Sequence, residues 1–356
     1  MVPSFTRGGG GAERIAANVL RHLDHERFEC HLAMAQSSAA CLEDIPKMVH
    51  LHQLEVSRMR FALPTLVRLI RRVNPQTVLS TTAHLNMLLI LAKPLLPAGT
   101  RLLVNEVTTP SAYLARDVRY PRVWRWLYRN LYPRADKVLC LSDAIVKDLT
   151  EEFNVPRRKL IRIYNPVDAG WMRQLADSGG NPFSDSGPHL VAAGRLRKEK
   201  GYDLLLQAVP AVVQAFPGTR LTILGEGPLE AELRELARRL GVAENVEFPG
   251  YLQEPWSYFK HADLFLLSSR FEGMPNVVLE ALALGTRVVA TDCVEGMREI
   301  QEASDRLVLV PPENPAAFAD AVIAVLSSPP ALTGKPEQLL RRFDLHRTME
   351  AYSEVL

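Results

Sequence analysis

Residues 270–285 read Arg-Phe-Glu-Gly-Met-Pro-Asn-Val-Val-Leu-Glu-Ala-Leu-Ala-Leu-Gly. The first five form a pattern typical of the loop that leaves a strand. Pro275 suits the first turn of a helix, because its ring fixes φ and it has no N–H to leave unbonded. The apolar run 277–284 then predicts a helix that stops at Gly285. The stretch therefore indicates a strand–loop–helix unit, the element from which α/β folds are built.

Two carboxylates, Glu272 and Glu280, stand on this unit. We expect Glu272 on the loop and Glu280 about two turns into the helix, which puts them on the order of 10 Å apart. Between them lie the free N–H groups of the helix N-terminus, which attract anions. A surface helix can carry such a pair by chance, but a carboxylate in so apolar a helix needs a partner. The pattern favours an elongated ligand with hydroxyls at both ends and phosphates in the middle, such as a nucleotide diphosphate sugar.

The charge of the chain is divided unevenly. Residues 1–170 hold 24 Lys and Arg against 15 Asp and Glu, a net +9, whereas residues 171–356 hold 18 against 25, a net −7. A chain of 356 residues with 47% hydrophobic side chains is long enough for two cores. We predict two domains with different partners. No nucleic-acid recognition motif accompanies the basic half, so we expect no nucleic acid among them.

The chain has the features of a cytoplasmic protein. No apolar run approaches the eighteen or more residues of a membrane span, and residues 1–11 lack the apolar stretch of a signal peptide. The four cysteines are scattered without a CxxC or Cys/His pattern. A reduced protein without a structural metal is the expectation.

One basic and aromatic segment points to a membrane surface. Residues 116–134 read Arg-Asp-Val-Arg-Tyr-Pro-Arg-Val-Trp-Arg-Trp-Leu-Tyr-Arg-Asn-Leu-Tyr-Pro-Arg. Such a helix can lie on an anionic membrane with its aromatic rings at headgroup level. The alternative is a core helix whose aromatic rings pack inward while its arginines are solvated. We favour the membrane hypothesis, with the protein peripheral on the inner face of the cytoplasmic membrane.

Apolar runs of strand length alternate with helical patterns through both halves, which is typical of parallel sheets. The polar stretch 176–188, rich in Gly, Ser and Pro, marks a linker. We therefore predict an α/β fold of two Rossmann-like doubly wound domains facing across a cleft. Their expected bounds are 1–168 and 187–335, followed by a C-terminal helix, 336–356, that packs back on the first domain. Residues 2–5 read as the tail of a first strand whose start is absent, so we expect reduced stability.

Glycine-rich loops follow several predicted strands. Gly8–Gly11 opens the first helix, and Gly-Glu-Gly-Pro occupies 225–228. Neither matches GxGxxG, so nicotinamide binding is poorly supported. In the loop 194–201, Arg195 and Lys200 are placed to clamp a diphosphate, although a solvated basic loop is the alternative. The sequence contains no Asp-x-Asp pair to hold a divalent metal on phosphates.

Together these motifs resemble the GT-B glycosyltransferases, specifically the large retaining family four, the glycosyl transferases group 1. The resemblance covers nearly the whole chain and rests on the following motifs: Gly-Gly-Ala-Glu-Arg14, Asn165-Pro-Val-Asp168, Gly194-Arg195, Lys200-Gly201, Gly225-Glu-Gly-Pro228, Phe271-Glu-Gly-Met-Pro275, Glu280-Ala281 and Gly285.

The resemblance implies roles for individual residues. Arg195 and Lys200 would act on the donor diphosphate, Glu272 near the donor sugar hydroxyls and Glu280 on the ribose hydroxyls. Backbone N–H groups of residues 273–276 would bind phosphate, and the turn ending at Leu252 would border the base. The donor-binding set is then Gly9, Gly10, Gly11, Gly194, Leu252, Gly273, Met274, Pro275, Asn276 and Glu280.

The acceptor side of the site is less defined. Many family members carry a histidine in the first domain, where this chain has Val-Asn-Glu-Val at 104–107. Glu106, and His84 and Asn86 on the preceding loop, are the candidates, and no catalytic base is assigned. In retaining transfer the departing phosphate itself is thought to take the acceptor proton, so positioning and leaving-group stabilisation matter most.

The function expected from these features is retaining, metal-independent transfer of a hexose or N-acetylhexosamine. The donor would be a nucleotide diphosphate sugar, UDP-linked in the favoured hypothesis. The acceptor would be a lipid-linked or cell-envelope glycan, and no cofactor is expected. Two alternatives stay open: a nucleotide-sugar epimerase of the same architecture, and a catalytically weak partner subunit.

Overall fold

The computed structural model describes residues 2–5, 11–37, 45–54, 62–116, 118–184, 186–328, 339 and 341–356. The chain divides into two compact units: Met1–Pro166 with Leu345–Leu356, and Val167–Asp344. Each unit combines parallel sheets with helices, as the alternating sequence pattern predicts.

The first unit contains two parallel sheets among its described residues, with strand orders β1-β2-β3 and β4-β5-β6-β7. The strands are β1 (Val2–Phe5), β2 (His31–Ser37), β3 (His50–Gln53), β4 (Thr77–Ser80), β5 (Arg101–Glu106), β6 (Lys137–Cys140) and β7 (Leu160–Arg162). The helices are Gly11–His22, Leu63–Val73, Ala83–Ala92, Pro110–Arg116, Pro121–Leu131, Asp143–Glu151 and Leu345–Val355. The sequence pattern did not predict β3, because His-Leu-His-Gln contains one apolar residue.

The C-terminal helix Leu345–Val355 completes the core of the first unit. Met349 and Tyr352 are buried in the same cluster as Leu103, at the centre of β5. The hydroxyl of Thr77 also donates a hydrogen bond of 2.8 Å to the carbonyl of Leu356. The end of the chain is therefore an integral part of this unit.

The second unit is built on one six-stranded parallel sheet of order β10-β9-β8-β11-β12-β13. The strands are β8 (His189–Ala193), β9 (Arg220–Leu224), β10 (Val246–Gly250), β11 (Leu264–Leu267), β12 (Val288–Thr291) and β13 (Leu307–Val310). The helices are Ala169–Ser178, Tyr202–Ala215, Glu230–Arg239, Trp256–His261, Asn276–Ala283, Gly296–Ala303 and Pro315–Ser327. Central strands such as β8 and β11 are buried along their whole length, as the continuous apolar runs of their sequences indicate.

The helix Ala169–Ser178 extends the second unit into the stretch predicted as a linker. Asp168 caps it by accepting a hydrogen bond of 3.0 Å from the N–H of Trp171. Met172 and Ala176 are buried, and Asp177 forms an ion pair with Lys260. A cap and a buried face are sufficient to make these residues helical despite the polar sequence that follows.

The glycines of the loop after β9 are explained by backbone packing. Gly225 has φ +141°, and a Cβ there would lie 2.0 Å from the carbonyl oxygen of Gly194. A Cβ at Gly227 would lie 2.4 Å from the carbonyl oxygen of Leu196. Only glycine permits this approach, which holds the loop after β8 in place.

We predict that Gly225→Ala destabilises the second unit strongly. Added strain and overlap with a backbone oxygen that cannot rotate away should cost roughly 1–3 kcal/mol beyond the conformational penalty of alanine. The matched control is Gly241→Ala, where φ is +71° and nothing lies within 4 Å of the added Cβ, so only about 1–2 kcal/mol is expected. Urea unfolding of both variants measures the difference, and equal midpoints would contradict the packing argument.

Candidate functional site

The loops that follow β8 and β11 meet at the carboxyl edge of the six-stranded sheet. The hydroxyl of Ser268 donates to the carbonyl of Lys200 at 2.9 Å. Gly201 approaches so closely that a Cβ there would lie 2.1 Å from the carbonyl oxygen of Ser268. Ligands of open α/β sheets bind at this edge, so these joined loops form the candidate site.

An ion pair lies at the centre of the site. The Lys200 ammonium is 2.6 Å from a carboxylate oxygen of Glu272, and the side chains are 19% and 12% exposed. The hydroxyl of Ser269 donates to the same oxygen at 2.6 Å. Lys200 and Glu272 belong to separate sequence motifs, 72 positions apart, and the fold brings them into contact.

Arg195 and Gly194 complete the loop after β8. Gly194 has φ +151°, and a Cβ there would lie 3.0 Å from the hydroxyl of Tyr202 and 3.3 Å from Cε of Lys200. Because Gly194 has no side chain, the side chain of Lys200 can pass close to its backbone. Arg195 is exposed, so its guanidinium is accessible to a ligand.

Arg270 anchors the loop after β11. Its guanidinium binds both carboxylate oxygens of Asp203, at 2.6 and 2.8 Å, and lies 2.8 Å from Glu313. The hydrogen bonds from Arg270 lower the pKa of the Asp203 carboxyl. The bidentate geometry fixes the start of the loop that carries Glu272.

Glu280 is buried, but it lies nearer the helix start than the sequence predicts. The helix is Asn276–Ala283 with Pro275 as its cap, so Glu280 is the fifth helical residue. The expected depth of two turns was wrong, since five residues span little more than one turn of 3.6. Its side chain accepts a hydrogen bond of 3.2 Å from the indole of Trp256.

The other predicted donor-side residues occupy different places. Met274 is buried, whereas Leu252 follows β10 and is half-buried. Gly11 begins the first helix of the other unit. Gly9 and Gly10 lie outside the described residues.

Cys293 lies close to the ion pair but is not suited to be a nucleophile. Burial, reinforced by the negative charge of Glu272, raises the pKa of its thiol to about 12. A thiol that stays protonated at neutral pH cannot supply the thiolate required for covalent catalysis.

The three acceptor-side candidates fall into two environments. His84 and Asn86 belong to the helix Ala83–Ala92 and not to the expected loop. His84 is exposed and packs edge-on against Trp124, with ring centroids 4.5 Å apart. Asn86 is fully buried and donates to the carbonyl of Asn105 at 2.9 Å.

Glu106 is a buried carboxyl at the end of β5. It accepts hydrogen bonds from the hydroxyls of Tyr128 and Tyr132, and Tyr132 also accepts one of 3.2 Å from Asn86. Burial raises the pKa of Glu106 to about 7, although the two tyrosine hydrogen bonds oppose the shift. Asn86 and Glu106 are therefore parts of one core network.

The aromatic residues of the segment 116–134 divide between core and surface. Tyr128 and Tyr132 are completely buried, so their expected place at headgroup level was wrong. In these buried positions, both tyrosine hydroxyls donate hydrogen bonds to the carboxyl of Glu106. Tyr120, Val123 and Trp126 are 56–61% exposed. In the part of the chain that the structure describes, no helix is both long and apolar enough to cross a membrane.

Three side chains that contact the predicted site residues were not predicted from the sequence: Ser269, Trp256 and Tyr202. Ser269 is the second of two serines that follow the apolar run of β11, so polar residues at a strand's carboxyl end were an available signal. Trp256 and Tyr202 are buried side chains that pack beside the site. No spacing pattern in the sequence distinguishes them from ordinary core residues.

Comparisons with known proteins agree with this architecture. Residues 9–171 match the family model described as Glycosyltransferase Family 4, and residues 187–328 match Glycosyl transferases group 1. The N-acetylgalactosamine-N,N'-diacetylbacillosaminyl-diphospho-undecaprenol 4-alpha-N-acetylgalactosaminyltransferase of Campylobacter jejuni is 30% identical over 321 residues, which are 87% of this chain and 85% of that protein.

Solved structures share the fold. Anabaena HepE in complex with UDP and glucose has a TM-score of 0.77 at 18% identity, over 99% of this chain and 98% of its own. Sucrose-phosphate synthase from Thermosynechococcus elongatus has a TM-score of 0.81 at 15% identity, over 99% and 94%.

We predict that Glu106 makes stability fall as the pH rises from 4.5 to 7. The unfolded chain loses this proton near pH 4.5 and the folded chain near 7, so the folded state binds more protons in between. At 1.36 kcal/mol per pKa unit the loss is roughly 3 kcal/mol. Glu106→Gln does not titrate, so its urea midpoint should rise relative to wild type across this window.

The control for this experiment is Glu232→Gln, at an exposed glutamate of the helix Glu230–Arg239. Its midpoint should follow the wild-type pH profile. A constant difference between Glu106→Gln and wild type at every pH would contradict the buried-proton argument.

Proposed function

The chain belongs to the glycosyl transferases group 1, family four, with the GT-B fold, and on that premise we propose a specific reaction. It is the retaining transfer of a hexose or N-acetylhexosamine from a UDP-linked sugar to a lipid-linked or cell-envelope glycan, without a metal ion. Retention means that the new bond forms on the face of the sugar from which the phosphate leaves.

The Lys200–Glu272 pair is the observation that carries this proposal. In the reaction the bond from the anomeric carbon to the donor phosphate breaks, the bond to the acceptor hydroxyl forms, and the phosphate takes the hydroxyl proton. Lys200 and Arg195 stabilise the charge that develops on the departing diphosphate. Ser269 keeps hold of Glu272 when Lys200 turns to the phosphate, so the carboxylate stays aimed at the sugar hydroxyls.

The proposed substrates take support from relatives. HepE was crystallised with UDP and glucose, and the name of the Campylobacter jejuni relative specifies an acceptor carried on diphospho-undecaprenol. A polyprenol-linked acceptor resides in a membrane, which suits a protein proposed to be peripheral on the cytoplasmic face. Glu280 binds the ribose hydroxyls in this proposal, with Trp256 fixing the orientation of its carboxylate.

We predict that the two glutamates separate donor binding from turnover. In EDTA, UDP or its sugar conjugate at a hundred times its dissociation constant should stabilise wild type by about 2.7 kcal/mol, and GDP should not. Glu280→Ala should lose most of this thermal stabilisation. Glu272→Ala should retain nucleotide binding. Its turnover, measured as the UDP released when the sugar is transferred from the UDP-sugar, should fall roughly a hundredfold, because the positioning of the sugar is lost.

Glu232→Ala, at an exposed site on another helix, is the matched control and should behave as wild type. Equal and small effects of Glu280→Ala and Glu272→Ala would contradict the site assignment. Conversion of the donor sugar by protein alone would identify an epimerase, and a cooperative melt without any nucleotide response would identify an inactive partner subunit.

We propose further that the exposed part of the segment 118–134 contacts an anionic membrane. Tyr120, Val123 and Trp126 are exposed together with Arg119 and Arg122. Aromatic rings and arginines on one short stretch match the chemistry of anionic headgroups. The two buried tyrosines serve the core instead.

Arg122→Glu should weaken binding to phosphatidylglycerol vesicles roughly thirtyfold, since each unit of charge near the surface contributes about 1 kcal/mol and the reversal changes the charge by two units. Trp126→Ala should weaken binding as well. Arg239→Glu makes the same charge change on the other unit and should have no effect. Vesicle sedimentation at low and high salt measures these differences, and binding that is equal in all variants would reject the membrane contact.

A further inference from the structure

A cluster of histidines lies on the neighbouring strands β2 and β3 of the first unit, whereas the Lys200–Glu272 pair lies in the second unit. Three of the nine histidines of the chain, His31, His50 and His52, gather there with Glu29. The parallel register places His31 directly beside His50. Cys30 is buried in the core, whereas its neighbours Glu29 and His31 are exposed and half-buried, respectively.

The distances within the cluster match a metal site. Nε2 of His31 is 3.2 Å and Nε2 of His50 is 3.5 Å from the same oxygen of Glu29. The ligand atoms of the three residues all lie within 4.8 Å of one another. Around a tetrahedral Zn²⁺ with bonds near 2.05 Å, neighbouring ligand atoms are about 3.3 Å apart. Little movement is therefore needed to close three ligands on one ion.

A fourth side chain orients the cluster. Nδ1 of His31 lies 3.0 Å from Nε2 of His52, which leaves Nε2 of His31 facing Glu29. Metal-ligating histidines are commonly held in this way through their second nitrogen. The His50 side chain is 56% exposed, so its ring can turn toward an ion without displacing the core.

We propose that Glu29, His31 and His50 bind a borderline divalent transition-metal ion, with Zn²⁺ as the reference and water in the fourth position. Two imidazoles and a carboxylate suit Zn²⁺, whereas Mg²⁺ and Ca²⁺ prefer oxygen ligands alone. The site lies at the amino ends of β2 and β3, opposite the edge where parallel sheets bind substrates. The ion therefore acts as a clamp that joins the two strands, and this role is independent of the proposed transfer reaction.

The test uses the full chain without an affinity tag, stripped with EDTA and then freed of it. Isothermal titration with ZnCl₂ should give one site per chain, CoCl₂ should produce visible d–d bands, and MgCl₂ should do neither. Zn²⁺ at a hundred times its dissociation constant should raise the melting temperature by roughly 5 °C. This readout does not depend on any donor or acceptor.

Variants identify the ligands. His50→Gln and Glu29→Gln should each lower the affinity for Zn²⁺ by more than the roughly 10–100-fold typical of an outer partner, which is the loss expected for His52→Gln. His346→Gln, at an exposed histidine of the C-terminal helix, is the matched control and should bind as wild type. Absence of saturable Zn²⁺ binding, or equal affinities of His50→Gln, Glu29→Gln and His346→Gln, would overturn the proposal.

Discussion

The candidate site depends on backbone atoms that approach one another more closely than any side chain allows. Gly225 packs on the carbonyl of Gly194, and Gly201 packs on that of Ser268. These backbone contacts fix the loops after β8, β9 and β11 independently of any charged side chain. Lys200 and Glu272 can then meet at 2.6 Å although they come from different loops. A larger residue at either glycine would move the backbone that carries the lysine or the glutamate.

The charge of the second unit illustrates why net charge does not decide what a site binds. Residues 171–356 carry a net charge of −7, yet the site places Arg195 and Lys200 on one loop. Two acidic residues near this loop have partners, because Asp203 is held by Arg270 and Glu272 by Lys200 and Ser269. A donor diphosphate that binds Lys200, as proposed, would compete with Glu272 for it, and the Ser269 hydroxyl would stay bonded to that carboxylate.

Burial and backbone chemistry explain which parts of the structure could be predicted from sequence. Central strands such as β8 could be predicted, because a fully buried parallel strand is a nearly continuous apolar run. Strand β3 could not, since an edge strand that reads His-Leu-His-Gln and exposes His50 and Leu51 carries no such signal. The motifs at strand ends identified Lys200 and Glu272 as separate site residues, but the ion pair between them was not predicted. The contact of Trp256 with Glu280 did not, because tertiary packing alone creates it.

Glu106 of the first unit and Glu272 of the second are largely buried carboxyls with contrasting partners. The contrast bears on which of the two is suited to contact a ligand. The groups that act on Glu106 are two tyrosine hydroxyls, the backbone of Thr108 and the negative charge of Asp148, none of which is a cation. Its pKa of about 7 and its complete burial make it a closed part of the core. Glu272 instead has one carboxylate oxygen 2.6 Å from the ammonium of Lys200, at a position where its side chain is 12% exposed. In the proposed reaction, a carboxylate paired with a lysine at a sheet's carboxyl edge can contact substrate once the lysine binds phosphate, whereas Glu106 is enclosed by two buried tyrosines.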